Sequence, residues 1–144
     1  MPRSSAPDAV EAGRLPKVFT DRNLGGVIVP RLLRAAGLDV VTMTEHYGRD
    51  RSQTIADVEW ITDVSTRGWL AFHQDARIRR RAAETEAVVR SGARMFCVVN
   101  GNITGAEAAA RYVDNLDDIA KAAQEPGPFV YGVYSDRIER LRLY

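Results

Sequence analysis

Short strand-like runs alternate with helix-like segments along almost the whole chain. Runs rich in β-branched and aromatic residues cover residues 18–20, 39–43, 69–73, 95–99 and 129–134. Helical segments cover residues 26–36, 54–67, 77–90 and 104–123, the last opened by a Thr-x-x-Glu capping box. This alternation predicts a three-layer α/β/α domain with a central, mostly parallel sheet of about five strands. Residues 44–52 are expected to form a loop, and residues 138–143 either a further strand or a surface segment.

The bulk properties indicate one ordinary globular domain. The chain has 144 residues, 45% of them hydrophobic, and a net charge of +1. We expect a flexible lead-in over residues 1–15 and a single domain over residues 16–144. No apolar run approaches the roughly 18 residues that a membrane span needs. Cys97, the single cysteine, is expected to be buried in a strand, and a chain without an internal disulfide suits a reducing cytoplasm.

Asp21 directly follows the first predicted strand. In a parallel sheet with right-handed crossovers, every strand-to-helix loop lies at one edge. Open α/β sheets bind their ligands at that edge, outside the carboxyl ends of the strands. We therefore expect Asp21, Asp75 and Asn100 to lie along the same edge, although they are far apart in sequence.

Asp57 supplies a further acid. On a helix over residues 54–67, with about 100° between residues, Asp57 falls inside the apolar arc that runs from Trp60 to Val58. Glu59 and Asp63 fall on the polar side. An inward-facing carboxylate must be neutralised, hydrogen-bonded or bound to a cation. Together with Asp21 and Asp75 it would form the oxygen-rich site that Mg²⁺ or Mn²⁺ prefers.

Each acid also has a purely structural interpretation. Asp57 follows Thr54 by three residues and would complete a capping box. Asp75 would cap the helix that begins at Arg77, and Asp21 would cap the turn of the helix that begins at Gly26. Spacing in the sequence does not decide between capping and metal binding.

A family resemblance rests on four segments in order, residues 19–25, 33–41, 57–61 and 74–78. It spans about residues 17–144 and includes residues 92–96 and 127–131. These segments resemble the PIN-like domains, and most closely the toxins of VapBC toxin–antitoxin systems. The resemblance implies a Mg²⁺- or Mn²⁺-dependent endoribonuclease in which Asp21, Asp57 and Asp75 are catalytic and bind the metal. It also implies two partners, an RNA substrate and a small antitoxin protein. A homodimer is a further expectation.

The chain departs from the family pattern at two places. Arg77 stands where many PIN-like domains carry a further acid, and Asn100 and Asn102 follow the fourth strand where another acid is frequent. Asn100 could still offer a carbonyl oxygen to a metal. Three acids would bind one ion well and a second one poorly, which bears on catalytic power and not on the fold.

Four residues near the expected edge are candidates for substrate binding: Arg22, Asn23, His46 and Arg77. His46 would contact RNA or carry a proton, and otherwise is an exposed loop residue. Arg77 would bind phosphate or pair with an acid, and otherwise belongs to a solvated face with the arginines at 79–81. His73, at the end of the third strand, is expected to be an ordinary strand histidine.

Two rival functions remain open. The missing acids are compatible with a PIN-like fold that no longer cleaves RNA and serves as a binding or regulatory module. A phosphoacceptor domain of the receiver kind would need an acid pair after the first strand and a late lysine. Of the required acid pair only Asp21 is present, and Lys121 lies in the middle of a predicted helix, so this rival ranks last.

Overall fold

A six-stranded sheet forms the centre of the molecule. The computed structural model describes residues 15–74, 81–99 and 102–143. The strand order is β2-β1-β3-β4-β5-β6, with β1 to β5 parallel and β6 antiparallel to β5. The strands are β1 (Val18–Thr20), β2 (Val40–Thr42), β3 (Leu70–His73), β4 (Arg94–Val98), β5 (Phe129–Val133) and β6 (Ile138–Arg140). The predicted parallel sheet is confirmed, and residues 138–140 add the strand that had been left open.

Seven α-helices lie within the described residues, in addition to a 3₁₀ turn at Arg22–Leu24. They are α1 (Ile28–Ala35), α2 (Met43–Tyr47), α3 (Arg49–Thr54), α4 (Asp57–Thr66), α5 (Ala82–Ser91), α6 (Gly105–Asp114) and α7 (Leu116–Ala123). All but residue 15 of the predicted N-terminal lead-in lies outside the described residues. No helix among the described residues is long and apolar enough to cross a membrane.

The strands present alternate side chains to two separate cores, as the period of two requires. One core joins β1 and β3 to helices α1, α6 and α7 through residues such as Leu33, Tyr112 and Ile119. The other core joins the opposite face to α2, α4 and α5 through Met43, Trp60 and Val88. The molecule therefore has the predicted α/β/α layers. Cys97 is buried in the second core, as expected.

The segment predicted as a loop, residues 44–52, is helical. Thr42 accepts a hydrogen bond from the Glu45 backbone N–H, and the Glu45 carboxylate accepts one from the Thr42 N–H, which is a complete capping box. Gly48, with φ 89°, separates α2 from α3. The polar composition of this segment predicted a loop, but it forms two short helices, of which α2 begins with a side-chain cap and α3 does not.

The helix predicted over residues 104–123 is divided at Asn115. Its Nδ2 lies 2.8 Å from the Arg111 carbonyl oxygen and 2.8 Å from the Tyr134 carbonyl oxygen. The Asn115 side chain thus donates to a carbonyl oxygen near the end of α6 and connects this helix end with the residue after β5. The predicted Thr104–Glu107 capping box is present at the start of α6.

The strand order creates a switch point between β1 and β3. The chain leaves β1 toward β2 and then returns to the other side of β1 as β3. Ligands of open α/β sheets bind outside the carboxyl ends of the strands at such a point. Thr20, the last residue of β1, pairs with Phe72 near the end of β3. Asp21 follows immediately.

Candidate active site

Asp21 is a buried carboxylic acid at this switch point. Its backbone N–H donates to the Phe72 carbonyl oxygen at 3.2 Å, which fixes it beside β3. The side chain makes no capping hydrogen bond to the 3₁₀ turn that follows. Within the described part of the chain, its Oδ1 has no hydrogen-bond partner, and its Oδ2 lies 3.4 Å from the Asn23 amide nitrogen. The capping interpretation is thus not supported by a hydrogen bond, although the Leu24 and Asn23 backbone N–H groups lie near enough to the carboxyl to lower its pKa.

The surroundings of Asp21 favour its protonated form. The pKa of Asp21 is raised from 3.8 to about 7, chiefly because the buried carboxylate would lose its hydration on ionisation. The negative charge of Asp57 also acts to raise this pKa, whereas the backbone N–H groups of Leu24 and Asn23 and the Arg22 guanidinium act to lower it. A cation that reached this carboxyl group would stabilise its ionised form and lower its pKa.

Asp57 is the first residue of α4, and its side chain is only 18% exposed. Ala56 occupies the N-cap position, and Thr54 belongs to the preceding helix α3. The predicted capping box between Thr54 and Asp57 is therefore wrong: residues 49–54 form their own helix, and the chain turns before α4 begins. The inward orientation expected from the helical period is observed.

Three groups surround the Asp57 carboxylate: an indole and a guanidinium that donate hydrogen bonds, and a second guanidinium that forms an ion pair. The Trp60 indole Nε1 donates to its Oδ1 at 2.8 Å. The Arg22 guanidinium lies 3.7 Å from the same oxygen, and Arg81 lies 3.3 Å from Oδ2. Two arginines thus balance the charge of this largely buried carboxylate, and the indole adds a neutral hydrogen bond.

Arg22 links the two acids. Its Nε donates to the Ser52 carbonyl oxygen at 3.0 Å and its Nη2 to the Ile55 carbonyl oxygen at 2.7 Å. These bonds tie the turn after Asp21 to the connection between α3 and α4, immediately before Asp57. Arg22 therefore has a structural function, and its predicted contact with substrate remains a prediction. Asn23 lies exposed next to it.

Three predicted site residues lie outside the described part of the chain: the proposed metal ligands Asp75 and Asn100, and Arg77, which was predicted to bind substrate. Within residues 15–74, 81–99 and 102–143, no group of three His, Cys, Asp or Glu side chains is arranged to hold a metal. The structure thus brings together Asp21 and Asp57, and the convergence of a third acid stays a prediction.

His46 lies away from these acids, in α2 and not in a loop. Its Nε2 is 2.9 Å from Asp63 Oδ2, and its ring meets Trp69 edge to face at 5.0 Å. Asp63 is six residues after Asp57, which is about 9 Å along the helix axis. The structure therefore does not bring His46 to the acid site; it holds the ring in a separate cluster with Asp63, Tyr47 and Arg67.

Replacing Asp63 with asparagine should lower the free energy of unfolding by about 1–2 kcal/mol, since a partly exposed carboxylate loses charged hydrogen bonds. Burial raises the pKa of Asp63, but donors from Tyr47, His46 and Arg67 outweigh it and lower the pKa to about 2. Because this pKa lies below the ordinary 3.8, the contribution exists above pH 3.8 and disappears as the pH falls toward 2. Urea unfolding across this range measures it. The exposed Glu86→Gln variant is the control and should change little; an equal loss in both variants would contradict the expectation.

Two buried residues at the switch point carried no functional signal in the sequence. Thr20 is fully buried, and its Oγ1 has no hydrogen-bond partner among the described residues. The Tyr112 hydroxyl lies 3.1 Å from the His73 carbonyl oxygen and 2.9 Å from the Phe96 carbonyl oxygen, so it connects the end of β3 with the middle of β4. His73 is buried at the end of β3, as expected for a strand histidine. Polar groups are thus buried at the carboxyl ends of the central strands.

Comparisons with known proteins agree with this architecture. Residues 16–100 match the model of the family described as "PIN like domain". The chain is 46% identical over 135 residues to a Mycobacterium tuberculosis protein named "Putative ribonuclease VapC45", a match that covers 94% of this chain and 98% of that protein. No solved structure matches significantly. The family match includes both Asp21 and Asp57, and the match to the relative extends over nearly the whole domain. The chain belongs to the PIN-like domain family.

Proposed function

We propose that the protein is a metal-dependent endoribonuclease. The observation that carries the proposal is the buried Asp21 carboxyl at the β1/β3 switch point, with one oxygen left without a hydrogen bond and Asp57 close enough to raise its pKa. Membership of the PIN-like family and the ribonuclease name of the 46% identical relative support RNA as the substrate.

The donor set fits a hard divalent cation. Asp21 and Asp57 offer carboxylate oxygens, the ligands that Mg²⁺ and Mn²⁺ prefer. Asp75 and the Asn100 carbonyl oxygen are proposed as further ligands. When bound, such an ion would stabilise negative charge on the phosphoryl group and lower the pKa of an attacking water.

The chain's own residues would orient this chemistry. The rigid end of β1 holds Asp21, and Arg22 fixes the segment that presents Asp57. Arg22 and Arg77 are proposed to contact RNA, since guanidinium groups form paired hydrogen bonds with phosphate. Asn23, whose exposed side-chain amide can donate a hydrogen bond, is proposed as a further contact. His46, which is engaged with Asp63, is retained only as a weaker candidate for a more distant RNA contact.

The proposed biological setting is a toxin–antitoxin pair. The VapC name of the relative and the resemblance to VapBC toxins support a cytoplasmic toxin held inactive by a small antitoxin protein. A homodimer is proposed as well. Light scattering of the purified chain, alone and with the product of an adjacent small gene, tests both partners directly.

Asp57→Asn and Glu59→Gln form a matched pair that tests the site. The two acids lie two residues apart on α4, but Glu59 is 56% exposed and pairs with Arg51. We expect Asp57→Asn to reduce Mn²⁺-dependent RNA cleavage by about 10²-fold, because a ligand charge is lost, and Glu59→Gln to retain full activity. Cleavage of a labelled RNA with Mn²⁺, with Mg²⁺ and with a chelator gives the rates. Equal rates for Asp57→Asn and wild type, or rates unaffected by the chelator, would refute this function.

A second candidate is an inactive PIN-like binding module. The observation in its favour is that Arg22 and Arg81 already balance the charge of Asp57. A cation would have to compete with both guanidinium groups. Titration calorimetry distinguishes the two functions, since the nuclease must bind Mn²⁺ and the module need not.

A further inference from the structure

Trp60 contacts the Asp57 carboxylate from inside the molecule. Its Nε1 donates to Asp57 Oδ1 at 2.8 Å, the shortest of the three interactions with this acid. The residue sits three positions after Asp57, so both side chains lie on the same face of α4. Trp60 is fully buried. The indole N–H therefore donates a short hydrogen bond that is shielded from solvent.

The indole itself is held rigidly by the sheet. It stacks on Phe19 with ring centroids 5.3 Å apart and an interplanar angle of 30°. It also lies 6.4 Å from the His73 ring. Phe19 is two residues before Asp21 on β1, and His73 is the last residue of β3. Trp60 thus packs against residues of both strands while it donates a hydrogen bond to Asp57.

The other two partners of Asp57 are less suited to this role. Arg22 and Arg81 have side chains that are 36% and 37% exposed, and both carry a positive charge that competes with a cation. The indole N–H is neutral, so it can orient the carboxylate without opposing a divalent ion. A hydrogen bond of this kind to a metal-binding carboxylate raises metal affinity by fixing the ligand in place.

We propose that Trp60 is a positioning residue that holds the Asp57 carboxylate in the orientation required to bind a divalent cation. The proposal rests on the proposed metal-dependent function and extends it to a residue that touches neither substrate nor metal. Its role is to reduce the freedom of Asp57 before the cation arrives.

The two tryptophans of the chain provide a matched pair of variants. Trp60→Phe keeps an aromatic six-membered ring to pack against Phe19, and it removes the five-membered ring that carries the N–H donor. Trp69→Phe changes a residue that packs on His46 and Arg67, away from the acids. By calorimetry we expect Trp60→Phe to weaken Mn²⁺ binding by about 10-fold, the loss typical of such supporting hydrogen bonds, and Trp69→Phe to leave it unchanged.

Fluorescence gives a second measurement that does not depend on the folding of Trp60→Phe. In the Trp69→Phe protein, Trp60 is the only tryptophan, and Mn²⁺ should quench its emission with the same saturation curve as calorimetry gives. Adding Asp57→Asn to this protein should abolish the saturable quenching. In the Trp60→Phe protein, where Trp69 alone emits, Mn²⁺ should cause no saturable change.

The outcomes separate the two proposals. If wild type binds Mn²⁺ and cleaves RNA but Trp60→Phe binds Mn²⁺ equally tightly, the positioning role is overturned and the nuclease function stands. Mn²⁺ binding without any effect on Trp60 emission also overturns the positioning role. If wild type binds no Mn²⁺, both proposals fall. Urea unfolding of each variant shows which affinities refer to folded protein.

Discussion

Replacement of Asp21 with asparagine should abolish RNA cleavage, with a loss of about 10³-fold, and at the same time stabilise the metal-free protein. Asp21 has the more deeply buried carboxyl of the two described acids, so its loss should affect cation binding more than the loss of Asp57. A loss of several kcal/mol in transition-state stabilisation corresponds to about three orders of magnitude in rate. The measurement is cleavage of labelled RNA at saturating Mn²⁺.

The gain in stability follows from the pKa of about 7. The folded protein holds a proton on Asp21 that the unfolded chain, with an ordinary pKa of 3.8, has already released. The free energy of unfolding therefore decreases as the pH rises from 3.8 to about 7, and this contribution is constant above that range. At pH 8 the cost is about 2–4 kcal/mol, which Asp21→Asn removes.

The pH dependence of the difference between the two proteins isolates this effect. Urea unfolding of wild type and Asp21→Asn in chelator should give similar stabilities near pH 4, with the variant becoming more stable toward pH 8. Mn²⁺ should reverse the order, since a ligand that binds only the folded wild type stabilises it. The exposed Asp136→Asn variant is the control. A variant less stable than wild type at pH 8 without metal would contradict the burial argument.

Replacement of Phe72 with alanine should lower the free energy of unfolding by about 3–5 kcal/mol, a large share of the stability of a domain of this size. Phe72 is fully buried in the centre of the sheet. It stacks on Tyr112 with centroids 4.1 Å apart and an interplanar angle of 4°, and it meets Phe96 edge to face at 5.9 Å. The cavity would lie between β3 and α6, against the Tyr112 ring.

Val89→Ala is the matched control for Phe72→Ala. Val89 is 49% exposed on α5, so the loss of its methyl groups should change stability by less than about 0.5 kcal/mol. Denaturant unfolding in chelator measures both variants. A small effect of Phe72→Ala would mean that the aromatic cluster repacks around the missing ring, and that β3 is less rigid than the contacts indicate.

Much of the fold could be predicted because it depends on local patterns. Strand-forming runs and the period of Asp57, Trp60 and Val64 specify the layers and the inward face of α4. The prediction that Val58 faces inward was wrong: it is 36% exposed, because the buried face of α4 is narrower than the predicted apolar arc. The helices at 43–54 were missed although Thr42 and Glu45 carried the same capping signal that identified α6.

The contacts that build the site are long-range and could not be predicted. Arg22 reaches carbonyl oxygens 30 and 33 residues away, and nothing in the spacing of side chains reports where a backbone carbonyl points. His46 was expected near the acids because the loop containing it was assigned to the same edge. Once that segment is a helix, the ring turns toward Asp63. Trp60 gave only the ordinary signal of a core aromatic residue.

The backbone hydrogen bond from Asp21 to Phe72 can form only after both β1 and β3 have been synthesised. A chain ending before β3 would carry Asp21, Arg22, Asp57 and Trp60, yet it would lack the carbonyl oxygen that holds the Asp21 backbone. Closure requires a contact across about 50 residues, which is slow compared with local helix formation. A growing chain therefore contains both described acids before it contains a site. Any nuclease activity would begin only after the third strand has joined the first.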